Sequence, residues 1–153
     1  MADLARALED RHPDNFRKHS LMIAAASVIV EDGKLLLVRD THGFWSSVGG
    51  WVDEGERPDE AVLREVREEL SVQAEVTEVL HPHLEWRAER ATDGSGFLLF
   101  VYRLRLLSRD FKLLESEITE ARWASPADWP GLPMLPYVRA LLEARTGEWL
   151  ATD

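Results

Sequence analysis

GWVDEGERPDEAVLREVREELSV, residues 50–72, runs from a double glycine at Gly49-Gly50 into a helical pattern. Pro58 suits the first helical position, and Asp59 and Glu60 suit the positive end of the helix. Arg57 is a poor residue for the N-cap that precedes it. With about 3.6 residues per turn, Val62, Leu63, Val66 and Leu70 form an apolar stripe. Glu65, Glu68 and Glu69, spaced three and four apart, share a neighbouring arc. Like charges at such spacing cost about 0.2–0.5 kcal/mol per pair unless a cation lies between them. Oxygen ligands beside a tight glycine turn suit a hard divalent cation such as Mg²⁺. The plainer reading of three acidic residues on a helix is a solvated face.

Upstream, residues 21–30 and 34–39 are apolar runs separated by Glu31-Asp32-Gly33, which reads as a hairpin. A polar loop over 41–44 and a short strand over 45–48 lead to the glycine turn. Downstream, residues 72–80 alternate as a strand, and 85–91 with 97–107 read as a second hairpin across 93–96. A strand over 121–124, a helical turn over 126–129 and a helix over 136–145 complete the pattern. Residues 3–12 read as a short amphipathic helix ended by Pro13, so 1–20 form an N-terminal helical extension. No linker or repeat divides the chain, and 1–153 is expected to be a single domain. The fold class is α+β, an α/β/α sandwich with a mixed β-sheet flanked by helices.

Composition narrows the function. Eighteen basic against twenty-eight acidic residues give a formal net charge of −10. That charge repels duplex nucleic acid and anionic membranes, and any phosphate chemistry needs a local cation. With no cysteine, disulfides, zinc–thiolate sites and thiol nucleophiles are excluded, and a cytoplasmic location is expected. The first residues lack the basic start and apolar run of a signal peptide. The apolar run over 21–30 is too short to span a bilayer.

The segment resembles the box of Nudix hydrolases. That pattern is a glycine, five residues, a glutamate, seven residues, then Arg-Glu-aliphatic-any-Glu-Glu-any-Gly-aliphatic. Gly50, Glu56, Arg64, Glu65, Val66, Glu68, Glu69 and Val72 fall in register, and Ser71 stands where the family has glycine. Glycine takes a left-handed conformation after a helix without strain, whereas serine there costs about 1 kcal/mol or more. The likeness extends over residues 21–142.

The resemblance implies Mg²⁺-dependent hydrolysis of a phosphoanhydride in a nucleoside diphosphate-linked substrate, as in MutT-like proteins, with Mn²⁺ as a substitute. It implies Glu65, Glu68 and Glu69 as metal ligands, with Glu56 and Arg64 bracing the site, and the backbone carbonyl of Gly49 or Gly50, with Gly50 preferred, as a further oxygen ligand. The general base is Glu65 or Glu117, with Glu115 and Glu120 competing; Glu65, Glu69 and Glu117 form the catalytic set. Arg39 is a candidate for substrate phosphate, and Trp45 and Trp86 for base stacking. The partner is a small nucleotide, and the resemblance admits a homodimer. The isopentenyl diphosphate isomerase chemistry hosted by the same fold needs a cysteine that this chain lacks. A nucleotide-sensing module without turnover is the alternative.

Overall fold

A computed structural model describes residues 21–80, 83–85 and 96–151. The N-terminal extension, Trp86 with the rest of the strand expected over 85–91 beyond Glu85, and all but Gly96 of the connection expected over 93–96 lie outside them. Nine strands and two α-helices follow in chain order among the described residues. They are β1 (Leu21–Val28), β2 (Val30–Glu31), β3 (Lys34–Asp40), β4 (Trp45–Ser46), β5 (Gly49–Trp51), α1 (Pro58–Leu70), β6 (Ala74–Val79), β7 (His83–Glu85), β8 (Gly96–Leu106), β9 (Ile118–Ala124) and α2 (Pro136–Leu150), with a 3₁₀ turn at Trp129–Gly131 before α2.

The strands form two sheets rather than one. The first runs β5-β1-β8-β6 with β7 also on β8, and the second runs β2-β3-β4 with β9 on β3. β1 and β8 are parallel and the other pairs of the first sheet antiparallel, so that sheet is mixed. The first hairpin is shorter than the apolar pattern implies. Only Val30 and Glu31 pair with β3, because the chain leaves the first sheet at Ile29. Asp32 and Gly33 both have positive φ (51° and 72°), as a two-residue turn matched to strand twist demands.

Alternation along β3 explains the layering. Leu35 and Leu37 enter one core with Val138, Leu141, Leu142 and Trp149 of α2. Leu36 and Val38 enter the other with Val62, Val66 and Leu70 of α1. A strand sends successive side chains to opposite faces, so an unbroken Leu-Leu-Leu-Val run requires cover on both. α1 covers one and α2 the other, which is the expected sandwich. No helix among the described residues is long and apolar enough to cross a membrane.

Candidate active site

The double glycine is not a turn. Gly49–Trp51 is a strand, paired with β1 so that Ala26, Ala25 and Ala24 face Gly49, Gly50 and Trp51. Glycine is required for close approach. A Cβ on Gly49 would lie 2.2 Å from the Ala25 carbonyl oxygen, and one on Gly50 would lie 2.4 Å from Glu65 Oε1. The hydroxyl of Ser27 donates to the Val48 carbonyl at 2.8 Å and ties the approach to β5 onto β1.

Helix α1 then sets the carboxylates. Val62, Val66 and Leu70 are fully buried, Leu63 is half-buried, and Glu69 is buried with them. Oxygens of Glu65, Glu69 and Glu117 lie within 4.8 Å of one another. Glu117 arrives from the turn before β9. Its loop is docked on the end of α1, where Leu114 N–H donates to the Glu69 carbonyl and Lys112 N–H to that of Leu70, both at 3.0 Å. Ser71 takes φ 59°, the left-handed conformation normally left to glycine. Its hydroxyl donates to the Lys112 carbonyl at 2.9 Å, so the serine strengthens the docking of that loop.

Glu68 lies apart from this group. With about 100° of rotation per residue, Glu68 and Glu69 diverge on either side of Glu65, and Glu68 accepts from Arg64 Nη1 at 3.1 Å. The three glutamates thus fan over about 100° of the helix, and among the described residues Glu117 is the carboxylate that joins Glu65 and Glu69. Arg64 organises the rest. It grips Glu56 through two bonds, at 2.8 and 3.1 Å, holds Glu65 at 3.0 Å and donates to the Trp51 carbonyl at 3.1 Å. Glu56 also accepts from the Asp53 N–H at 3.1 Å, which closes the loop between β5 and α1.

The electrostatics fit a hard cation. Burial, reinforced by Glu65, Glu117 and Glu68, pushes the Glu69 carboxyl up to about 8. Burial also raises Glu65, against the pull of Arg64. The Arg64 guanidinium holds Glu56 below the usual carboxylate range. Glu69 Oε2 is buried without a hydrogen-bond partner among the described residues, an arrangement costly to keep unless something accepts its lone pairs. Three convergent carboxylates, one with an orphaned oxygen, match the oxygen-rich donor set of a divalent cation.

Other sequence candidates fall elsewhere. Arg39 is the penultimate residue of β3, its guanidinium beside Gly43 and 3.5 Å from the Thr119 hydroxyl. Trp45 is 5% exposed and packs in the core under α2, so it offers no open face for stacking. Glu120 lies on β9 opposite Arg39. Of Glu115, Glu117 and Glu120, only Glu117 joins the carboxylate group among the described residues.

The sequence reading missed Trp51. It is half exposed and lines a cavity of about 420 Å³ between β1, β5 and α2. Reading Gly49–Trp51 as a strand would have placed Trp51 and Gly50 on opposite faces.

A NUDIX domain model matches residues 21–144, and the chain belongs to that family, among MutT-like Nudix hydrolases. It is 31% identical over 124 residues to the CTP pyrophosphohydrolase of Escherichia coli K12, covering 78% of this chain and 87% of that protein. It is 33% identical over 113 residues to the nucleoside triphosphatase NudI of Escherichia coli O81, covering 66% of this chain and 79% of that one. Among solved structures it resembles the MutT NUDIX hydrolase from Burkholderia pseudomallei, with a TM-score of 0.68 and 25% identity over 82% of this chain and 98% of the other.

Proposed function

We propose that this chain is a Mg²⁺-dependent pyrophosphohydrolase of nucleoside triphosphates or diphosphates, with Mn²⁺ as a substitute. The convergence of Glu65, Glu69 and Glu117 around the unpartnered Glu69 oxygen carries this reading. The relatives named for CTP and for nucleoside triphosphates support the substrate class. When bound, the cation supplies neutralisation of phosphate charge and makes the attacking water more acidic.

The chain's own groups do the rest. Glu65 and Glu69, with Glu68 beside Glu65, would hold the cation, and the backbone of Gly50, kept bare of a side chain, leaves room beside Glu65. Glu117, exposed at the rim of the group, is placed to accept the proton of the attacking water. Arg64 fixes the orientation of Glu65 and engages Glu68, while Glu56 fixes Arg64. A cysteine-free chain of this class fits the cytoplasm, and sedimentation tests for a homodimer.

The test is a panel of canonical nucleoside tri- and diphosphates incubated with Mg²⁺ or Mn²⁺ and read by product mass. Wild type should release a nucleoside monophosphate, and Glu69→Gln should lower turnover by about 100-fold or more with helix content unchanged. Near-wild-type hydrolysis by Glu69→Gln would overturn the ligand role, and bound but intact nucleotide would indicate a sensor.

A further inference from the structure

We propose that Ser71 is a positioning residue for Glu117: its hydroxyl ties down the loop before β9, so that the carboxylate carried by that loop stands beside Glu65 and Glu69. This rests on the carboxylate group being the hydrolytic site, with Glu117 taking the proton of the attacking water.

Residues 107–117 join β8 to β9 and contain neither helix nor strand. Such a segment holds a functional group in place only through its anchors on the scaffold. The last carbonyls of a helix have no partner within it, and at the end of α1 the loop supplies partners. Leu114 N–H donates to the Glu69 carbonyl and Lys112 N–H to the Leu70 carbonyl, both at 3.0 Å. The Leu114 carbonyl in turn accepts from the Glu117 N–H at 2.9 Å and the Ile118 N–H at 2.8 Å. Leu114 therefore joins the backbones of Glu69 and Glu117, and the spacing of their carboxylates follows how firmly the loop sits on the helix. An ion pair between Arg109 and Glu31 fixes the other end of the loop. Near Glu117 the packing is thin. Phe111 and Leu113 are half-buried against the α1 core, while Lys112, Glu115 and Ser116 are exposed.

Ser71 adds a side-chain bond from the helix end to this loop, its hydroxyl donating to the Lys112 carbonyl at 2.9 Å. Lys112 is thereby held through both its N–H and its carbonyl. The serine backbone sets this up. Its N–H closes the helix on the Arg67 carbonyl at 3.0 Å, and φ 59° turns the chain out of the helix. Glycine reaches that φ without steric cost and serine does not, so the contribution of the serine comes from its hydroxyl. Substitution separates the two. Ser71→Gly removes the hydroxyl and relieves the backbone, whereas Ser71→Ala removes the hydroxyl and keeps the strain.

The test compares both variants with wild type in the full chain. Each should lower kcat for a nucleoside triphosphate by about 2- to 12-fold, the weight of one hydrogen bond, and leave KM within about twofold. Their melting temperatures should part, with Ser71→Gly above Ser71→Ala by about 2–4 °C. A merely structural serine would instead make kcat follow the melting temperature. With Glu117→Gln already in place, Ser71→Gly should bring no further loss of kcat, because the group it positions is gone. Native-state hydrogen exchange reads the loop without turnover. In Ser71→Gly the amides of Lys112, Leu114 and Glu117 should exchange about 2- to 12-fold faster, while those between β1 and β8 keep their wild-type rates. Unchanged exchange at the loop, a wild-type kcat in Ser71→Gly, or a full additional loss in the Glu117→Gln background would overturn the proposal. Faster exchange in a protein that cleaves no nucleotide would sink the hydrolase reading and leave the anchoring of Glu117 by Ser71 standing. Cleavage with unchanged exchange would do the reverse.

Discussion

Glu69 is a carboxylate on the buried side of its helix, next to two others. Burial and the neighbouring carboxylates push its carboxyl up to about 8 in the absence of metal, from an ordinary 4.5. A raised folded value means that folding favours the protonated form. The stability tied to that proton is fully present below about pH 4.5 and is lost as pH rises through about 8. Glu65, also raised by burial, contributes in the same direction. The metal-free protein should therefore melt lower at about pH 8 than at about pH 5, by on the order of 5 °C. Mg²⁺ should recover more of the melting temperature at the higher pH, where protons no longer compete for the same oxygens. Glu69→Gln should remove most of the slope, and thermal scans across pH with and without metal check this. A melting temperature independent of pH in wild type would contradict the account. The helical period identified Glu65 and Glu69 as neighbours, but burial of Glu69 depends on the docking of the loop before β9. That packing has no local sequence signal.

The instructive element is β5. Two glycines in sequence read most simply as a turn, yet they form a strand pressed between β1 and α1. The two do different work, and alanine substitution separates them. Gly49→Ala places its Cβ against backbone at 2.2 Å and 2.8 Å, which no rotamer change can relieve. Stability should fall by about 3 kcal/mol, measured by denaturant unfolding. Gly50→Ala meets only the end of the Glu65 side chain, at 2.4 Å, and that carboxylate can swing away. Stability should change by less than about 1 kcal/mol, but a displacement near 1 Å at the site should lower kcat by about 100-fold. Equal effects of the two substitutions on folding would refute this division. Ser71 follows similar logic. Its left-handed backbone was legible from its place after Leu70, but the bond from its hydroxyl to the Lys112 carbonyl spans 41 residues of sequence.

At the scale of the molecule, a net charge of −10 surrounds a site meant for polyanions. Screening weakens that repulsion, so kcat/KM for a nucleoside triphosphate at fixed free Mg²⁺ should rise from low to physiological ionic strength. A steep fall would indicate attractive steering and contradict the charge argument. The sequence by itself determined the helix over residues 58–70, its apolar stripe and the identity of Glu65 and Glu69 as candidates. These features depend on residues within a turn or two of one another, where spacing maps directly onto geometry. Only the tertiary structure decided that Glu68 stands with Arg64, that Glu117 rather than Glu115 or Glu120 completes the carboxylate group, and that Trp45 is core while Trp51 borders a cavity. Each of these turns on which distant strand or loop packs beside β5 and α1. Such long-range pairing depends on burial summed over the whole chain, not on local periodicity.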